Sequence, residues 1–239
     1  MLEVKHINKN FGGVVAINDF SMTVEQGQRV GIIGPNGAGK TTILNCISNI
    51  MPADSGEIFM DGVLLNRKKR WQVSRAGIAR TFQNIRLFGS MTVVENVMTI
   101  MGVVAEKKSN QHLRERSEAL LKDLGWTERM DVEATSLPYG LQRKLELVRA
   151  IASQPKILML DEPAAGLNPT EIGELIEYVN WLHGEHGISI LLIEHRMEMI
   201  TNICTYVYVQ NYGKTIAQGA TEEIMNDPVV IQAYLGEED

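Results

Sequence analysis

A chain of 239 residues is long enough for one large α/β domain with a well-buried core. Its 44% hydrophobic and 22% charged residues exclude a disordered chain. A formal net charge of -6 gives no general attraction to nucleic acid or to an anionic membrane surface, although a local basic patch could still supply one. The two cysteines, Cys46 and Cys204, lie far apart among apolar neighbours and are expected as buried, reduced thiols. MLEVKHINKN has no apolar stretch behind a basic one, and no segment approaches the roughly 18 apolar residues of a membrane span. The chain is therefore read as cytosolic, and other subunits must bring it to any membrane at which it works.

In chain order, Leu2 to Ile7 and Phe20 to Val24 read as strands. Glu57 to Met60 and Val63 to Leu65 flank an Asp61-Gly62 turn of hairpin type, so this early part is expected to be antiparallel. The apolar run Val30 to Ile33 enters a glycine-rich loop, and Thr41 to Asn49 follows with helical character. Met91 to Ala152 lacks strand runs and reads as mostly helical, a subdomain inserted into the α/β core. Ile157 to Leu160 and, but for Ser189, Ile188 to Ile193 are continuously apolar, as parallel strands covered on both faces are, and each is followed by a carboxylate, Asp161 and Glu194. Between them Ile172, Leu175, Ile176, Val179 and Leu182 recur at helical spacing, with Asn168 as N-cap, Pro169 at the first helical position and Gly184 at the end. From Tyr206 onward one or two strands and a short helix are expected, ending in a solvated acidic tail, Glu237 to Asp239. No internal repeat occurs, so a second unit has to be an insertion; the expected division is residues 1–85 and 154–239 for the core and 86–153 for the helical part.

The strongest chemical signal is Gly34-Pro35-Asn36-Gly37-Ala38-Gly39-Lys40-Thr41, followed by Thr42. It meets G-x-x-x-x-G-K-[ST] between a strand and a helix. Glycines let successive N–H groups face one anion, and the helix N-terminus points its positive end at the same place. Lys40 can reach β/γ phosphates and the Thr41 hydroxyl can ligate Mg²⁺. Ile157 to Glu162 then delivers two adjacent carboxylates to the edge of the sheet where α/β proteins bind ligands. Asp161 suits the Mg²⁺ shell, and Glu162 suits activation of the water that attacks a γ-phosphate. Binding and hydrolysis of MgATP is the expected chemistry. Asn8-Lys9-Asn10-Phe11 lacks the aspartate of a guanine-reading motif and precedes the phosphate loop, which disfavours a GTPase.

From about Leu2 to about Leu235 the chain resembles the nucleotide-binding subunits of ATP-binding cassette (ABC) transporters. That resemblance implies an α/β fold with a P-loop (RecA-like) core, an antiparallel β subdomain and an inserted helical subdomain. It also implies that Phe11 stacks on adenine, that Gln83 in Arg80-Thr-Phe-Gln-Asn-Ile reaches the metal and the water, and that His195 contacts the γ-phosphate. Ala164 to Asn168 takes the position of a loop that crosses the dimer interface, with Asn168 where aspartate is usual. The signature loop, usually LSGGQ, corresponds to Leu137-Pro138-Tyr139-Gly140-Leu141. Pro138 offers neither a hydroxyl nor an N–H, so Tyr139 and Gly140 with their backbone carry that contact.

Within the family, Leu-Pro-Tyr-Gly followed by Arg143-Lys144-Leu145-Glu146, the stretch Arg80 to Phe88, and Glu162 to Pro169 look most like the LivG-type ATPases of branched-chain amino acid importers. Leu141, and a rather short stretch between Met91 and the signature, depart from that pattern. The resemblance implies a head-to-tail dimer with itself or with a second ABC ATPase, transmembrane permease subunits, and indirectly a solute-binding protein; no nucleic acid is expected. It places the chain peripherally on the cytoplasmic face of the inner membrane, with a permease segment docking near Arg86, Leu87 and Phe88. ATPases for urea or amide uptake, ATPases for lipopolysaccharide export, a soluble ABC ATPase and a non-hydrolysing ATP sensor are the competing readings.

Overall fold

A computed structural model describes residues 1–104 and 109–235. The chain begins with two long strands, β1 (Leu2–Phe11) and β2 (Val14–Val24), paired antiparallel. β1 also pairs antiparallel with β4 (Ser55–Met60), which turns through Asp61 and Gly62 into β5 (Val63–Leu64). The resulting four-stranded sheet has the order β2-β1-β4-β5. β2 starts at Val14 rather than near Phe20: its first residues are exposed, so no burial pattern marks them.

The second sheet has six strands in the order β10-β9-β3-β8-β7-β6. β3 (Arg29–Ile33), β6 (Ile78–Arg80), β7 (Ile157–Asp161), β8 (Ser189–Ile193) and β9 (Tyr206–Asn211) run parallel, and β10 (Lys214–Ala220) closes one edge antiparallel to β9. Two apolar cores explain the unbroken hydrophobic runs. Ile157, Met159, Leu191 and Ile193 face a core shared with the four-stranded sheet. Leu158, Leu160, Ile190 and Leu192 face the opposite core, packed by helices. Alternate side chains on a strand point to opposite faces, so a strand covered on both must be apolar throughout.

The helices are α1 (Lys40–Ile47), α2 (Arg70–Arg75), α3 (Val93–Val104), α4 (Asn110–Asp123), α5 (Tyr139–Ile151), α6 (Pro169–His186), α7 (Met197–Ile203), α8 (Thr221–Ile224) and α9 (Pro228–Leu235). α3, α4 and α5 fall between β6 and β7 in the chain, with two short 3₁₀ turns between α4 and α5. α6 begins on Asn168, whose side chain accepts from the Glu171 N–H while Glu171 accepts from the Asn168 N–H. The helix does not stop at Gly184. It continues to His186 and ends at Gly187, whose φ of 61° supplies the left-handed turn that closes a helix. After Asn211 the chain forms a strand and two helices rather than one. The acidic tail Glu237 to Asp239 lies outside the described residues. Cys46 and Cys204 are buried and unpaired, and burial pushes their thiols up to about 11 and about 12.

Candidate functional site

The phosphate loop leaves the end of β3 at Gly34 and enters α1 at Gly39. Both glycines are required by close approach. A Cβ on Gly34 (φ 146°) would lie 2.0 Å from the Gln210 carbonyl oxygen, and one on Gly39 (φ 96°) 2.1 Å from that of Ala16. Neighbouring strands therefore hold the loop at both ends. Lys40 is buried and its ammonium donates to the carbonyls of Gly34 and Pro35 at 2.6 and 2.8 Å, folded across the loop it follows. The first turn of α1 has no side-chain cap, which leaves its amides directed at the loop. Pro35, Asn36, Gly37, Ala38 and Thr42 complete the segment.

Asp161 ends β7, buried and in register with Ile193 of β8. Its Oδ1 accepts from the Thr41 hydroxyl at 3.4 Å and its Oδ2 from Arg80 Nη2 at 2.8 Å. Arg80, at the end of β6, also donates to Asn45 Oδ1 at 2.8 Å and Ser48 Oγ at 3.0 Å. Burial pulls the Arg80 guanidinium below its usual value, and the hydrogen bond and charge of Asp161 oppose that shift.

Glu162 takes a left-handed backbone, φ 46°, costly for a residue with a side chain and frequent where geometry serves a site. Its N–H donates to the Ile193 carbonyl at 2.9 Å, which fixes the bend. Gln83 Nε2 donates to Glu162 Oε2 at 2.7 Å, and His195 Nδ1 stands 4.0 Å from the same oxygen. Gln83, Glu162 and His195, separated by up to 112 positions in the chain, thus converge on one carboxylate. Phe11 ends β1 half-exposed, with the Lys9 ammonium 5.6 Å from its ring centre. The signature stretch lies elsewhere. Tyr139 donates to the Ala165 carbonyl at 3.3 Å, and a Cβ on Gly140 would lie 3.0 Å from Glu171 Oε1. Among the described residues no hydrogen bond joins Leu137 to Leu141 with the phosphate loop.

Three residues had no role in the sequence reading. Arg80 holds Asp161. Glu194, fully buried, accepts from the Ala164 N–H at 2.9 Å on one oxygen and from the His195 and Arg196 N–H groups at 3.1 and 3.2 Å on the other. Arg143, also fully buried, donates to the carbonyls of Phe82 and Gln83 and pairs with Glu146, which in turn accepts from the Arg86 N–H. Burial pushes the Glu146 carboxyl up, against the pull of the Arg86 N–H and of Arg143. Only the terminal position of Glu194 on an apolar run hinted at this in the sequence.

A groove of about 290 Å³ runs between Arg70, Arg80, Phe82 and Arg86 on one side and Glu146 and Arg149 on the other. Of the three residues expected at a docking surface, Arg86 lines it, Leu87 packs partly buried on the core, and Phe88 is exposed with the Arg149 guanidinium 5.1 Å from its ring centre.

The ABC transporter family matches residues 17–165, and the family described as branched-chain amino acid ATP-binding cassette transporter matches residues 214–239. The chain is 41% identical to the high-affinity branched-chain amino acid transport ATP-binding protein LivG of Escherichia coli K12, across 99% of this chain and 98% of the relative. It is 40% identical to BraF of Pseudomonas aeruginosa, similarly described, over the same shares. Identity falls to 30%, over 100% and 98%, with the lipopolysaccharide export system ATP-binding protein LptB of Haemophilus influenzae. The crystal structure of a nucleotide-free ATP-binding cassette from an ABC transporter superposes with a TM-score of 0.87 at 30% identity, covering 99% of both chains. The loop, the paired carboxylates at the sheet edge and these likenesses along the whole chain agree: the protein belongs to the ATP-binding subunits of ABC transporters, on the branch that contains LivG and BraF.

Proposed function

We propose that this chain hydrolyses MgATP to drive import of branched-chain amino acids or similar small solutes. The observation that carries hydrolysis, beyond nucleotide binding, is the convergence of Gln83 and His195 on the Glu162 carboxylate. A base must be oriented before it can take a proton; the Gln83 amide orients this one by a hydrogen bond, and His195 stands beside it. In this reading Glu162 takes a proton from the attacking water, Gln83 positions that water, and His195 steadies the γ-phosphate. Lys40 leaves its carbonyl partners for phosphate oxygens, and Phe11 supplies the face on which adenine stacks.

The donors fit Mg²⁺. Thr41 and Asp161 offer hard oxygens in mutual contact, and Gln83 keeps an amide oxygen free of its bond to Glu162. An ion that prefers one or two protein oxygens together with phosphate is suited to such a set. When bound, it offsets the charge of the β and γ phosphates.

The working unit in this reading is a head-to-tail dimer in which Tyr139, Gly140 and the amides that open α5 face nucleotide held by the other subunit. The residues Ala164 to Asn168, which lie against Tyr139, follow that contact. A permease segment seats in the groove beside Arg86, which places the chain on the cytoplasmic face of the membrane, with a solute-binding protein acting from the other side. The core comprises residues 1–85 and 154–239, and residues 86–153 form the unit that moves against it.

The test is to tag the chain in its native cell, solubilise membranes in MgATP with a transition-state trap, and identify the proteins that co-purify while measuring phosphate release. Two permeases, an ATPase partner and an amino-acid-binding protein are the expected set. Recovery of only soluble, ribosomal or DNA-associated proteins would overturn the transport reading.

A further inference from the structure

Between Asp61 and Glu95 the sequence has no acidic residue and seven basic ones, in a chain whose net charge is -6. Five of the seven, Arg67, Lys68, Lys69, Arg70 and Arg75, are exposed on the loop that enters α2 and on α2 itself. None of these five is in an ion pair among the described residues. Trp71 stands among them, half-exposed, with the Arg75 guanidinium 5.1 Å from its ring centre. The segment is held firmly beneath its charges. Leu65 and Val73 are buried, the Asn49 amide donates to the carbonyls of Leu65 and Lys68, and Arg70 donates to that of Ile50.

Location gives this patch a partner. Arg70 lines the groove that also holds Arg86 and Arg149, so the patch continues the rim of the proposed permease seat. On the transport reading that rim is turned toward the permease and the bilayer it spans, whose cytoplasmic leaflet carries negative charge that attracts basic segments close to it. Lysines and arginines around an exposed tryptophan match the headgroup layer, where indole rings and cations are both favoured. We propose that the Arg67 to Arg75 face rests on anionic phospholipid headgroups next to the permease. Its orientation rests on the transport reading; its chemistry does not.

The test uses the full chain, purified without permease, in flotation with vesicles of phosphatidylcholine alone or mixed with phosphatidylglycerol. Binding is expected to the mixed vesicles only and to disappear at high salt. Each lysine neutralised costs roughly fivefold in partitioning, so Lys68→Gln with Lys69→Gln lowers it about 25-fold. Phosphate release by that double variant remains at the wild-type level, which certifies its fold. Trp71→Ala weakens what remains. Equal binding to both vesicle types, or full retention by the double variant, overturns the proposal. So does tight binding of duplex DNA without binding of vesicles, which would make the patch a nucleic-acid surface. So does loss of permease association by the double variant without vesicle binding by the wild type, which would make it a protein contact. If the wild type binds anionic vesicles by charge but recovers no permease from its own cell, the transport reading fails and the lipid contact stands.

Discussion

Arg143 Nη2 donates to the Gln83 carbonyl at 2.6 Å, so the helix that follows the signature stretch holds the backbone of the residue that orients Glu162. Nη1 donates to Phe82 and to Glu146, whose second oxygen accepts from Arg86. A shift of α5 must therefore move residues 82 to 86, and with them the wall of the groove. Removing one partner of a buried pair leaves the other charge uncompensated, which costs about 3 kcal/mol. Arg143→Ala is expected to lose stability of that order in chemical denaturation and to lose phosphate release more than nucleotide affinity. Arg143→Lys, which keeps the charge but not the planar fork, should recover stability better than turnover. Equal loss of affinity and turnover would mean that Arg143 serves the fold alone.

Glu194 answers three N–H groups with two oxygens, one at Ala164 and two at His195 and Arg196. The loop that begins at Ala164 and the chain carrying His195 are thus tied to one buried carboxylate. Glu194→Gln keeps the shape but turns an amide nitrogen towards an N–H, whichever way it is placed. About 2 kcal/mol of stability should go, as for one unsatisfied buried donor. Turnover should fall while affinity for ATP in the isolated chain stays close to wild type. Measured by titration calorimetry and phosphate release, a variant that loses affinity first would point to collapse of the phosphate loop.

These two links explain which parts of the site could be read from sequence. Gly34 to Thr41 and Asp161-Glu162 are contiguous, and their chemistry depends on the strand and helix immediately around them. His195 and Gln83 were legible only through resemblance, because each acts on a carboxylate far away in the chain. Arg80 and Arg143 were silent, since an isolated Arg on a helix or strand end has a solvated reading until its partner is known, and Glu194 was marked only by its place at the end of an apolar run. The same distinction holds for the fold. β7 and β8 announce themselves by apolar runs, broken only at Ser189, whereas β6 has only Ile78 to Arg80 and α2 only six residues, with three buried side chains between them, Val73, Ile78 and Ala79, too few to set a period. Gly184 and Gly187 are equivalent as letters, and only the backbone distinguishes them: Gly187 takes the positive φ.

Gly39 is a separate and sharper test of the loop. Its φ of 96° is strained for any L residue, and its Cβ position meets the Ala16 backbone on β2, which has no flexible end to move aside. Gly39→Ala is expected to destabilise the chain by about 2 kcal/mol from backbone strain and to abolish ATP binding, because the shift needed to relieve the contact pulls the first turn of α1 out of line. Gly37→Ala is the control. Gly37 also has a positive φ, 77°, but nothing lies within 4 Å of its Cβ position, so a milder loss is expected. If both variants bind ATP equally well, the Ala16 contact does not hold the loop.

Glu162→Gln separates binding from hydrolysis. The substitution keeps the size of the side chain and an acceptor for the Gln83 amide, while it removes the basicity that a water-activating group needs. A positioned base is worth roughly 100- to 10,000-fold in rate, so phosphate release should fall at least ~100-fold with ATP affinity unchanged. Bound ATP then persists. If the γ-phosphate holds two subunits together, the variant should accumulate as an ATP-dependent dimer in size-exclusion chromatography, while the wild type returns to monomer as its ATP is consumed. Turnover at the wild-type rate would remove Glu162 from the role of base. Asp161, its neighbour in the chain, is already engaged by Arg80 and Thr41. Slow turnover without a dimer would instead keep the base and refute the trans arrangement of Tyr139 and Gly140.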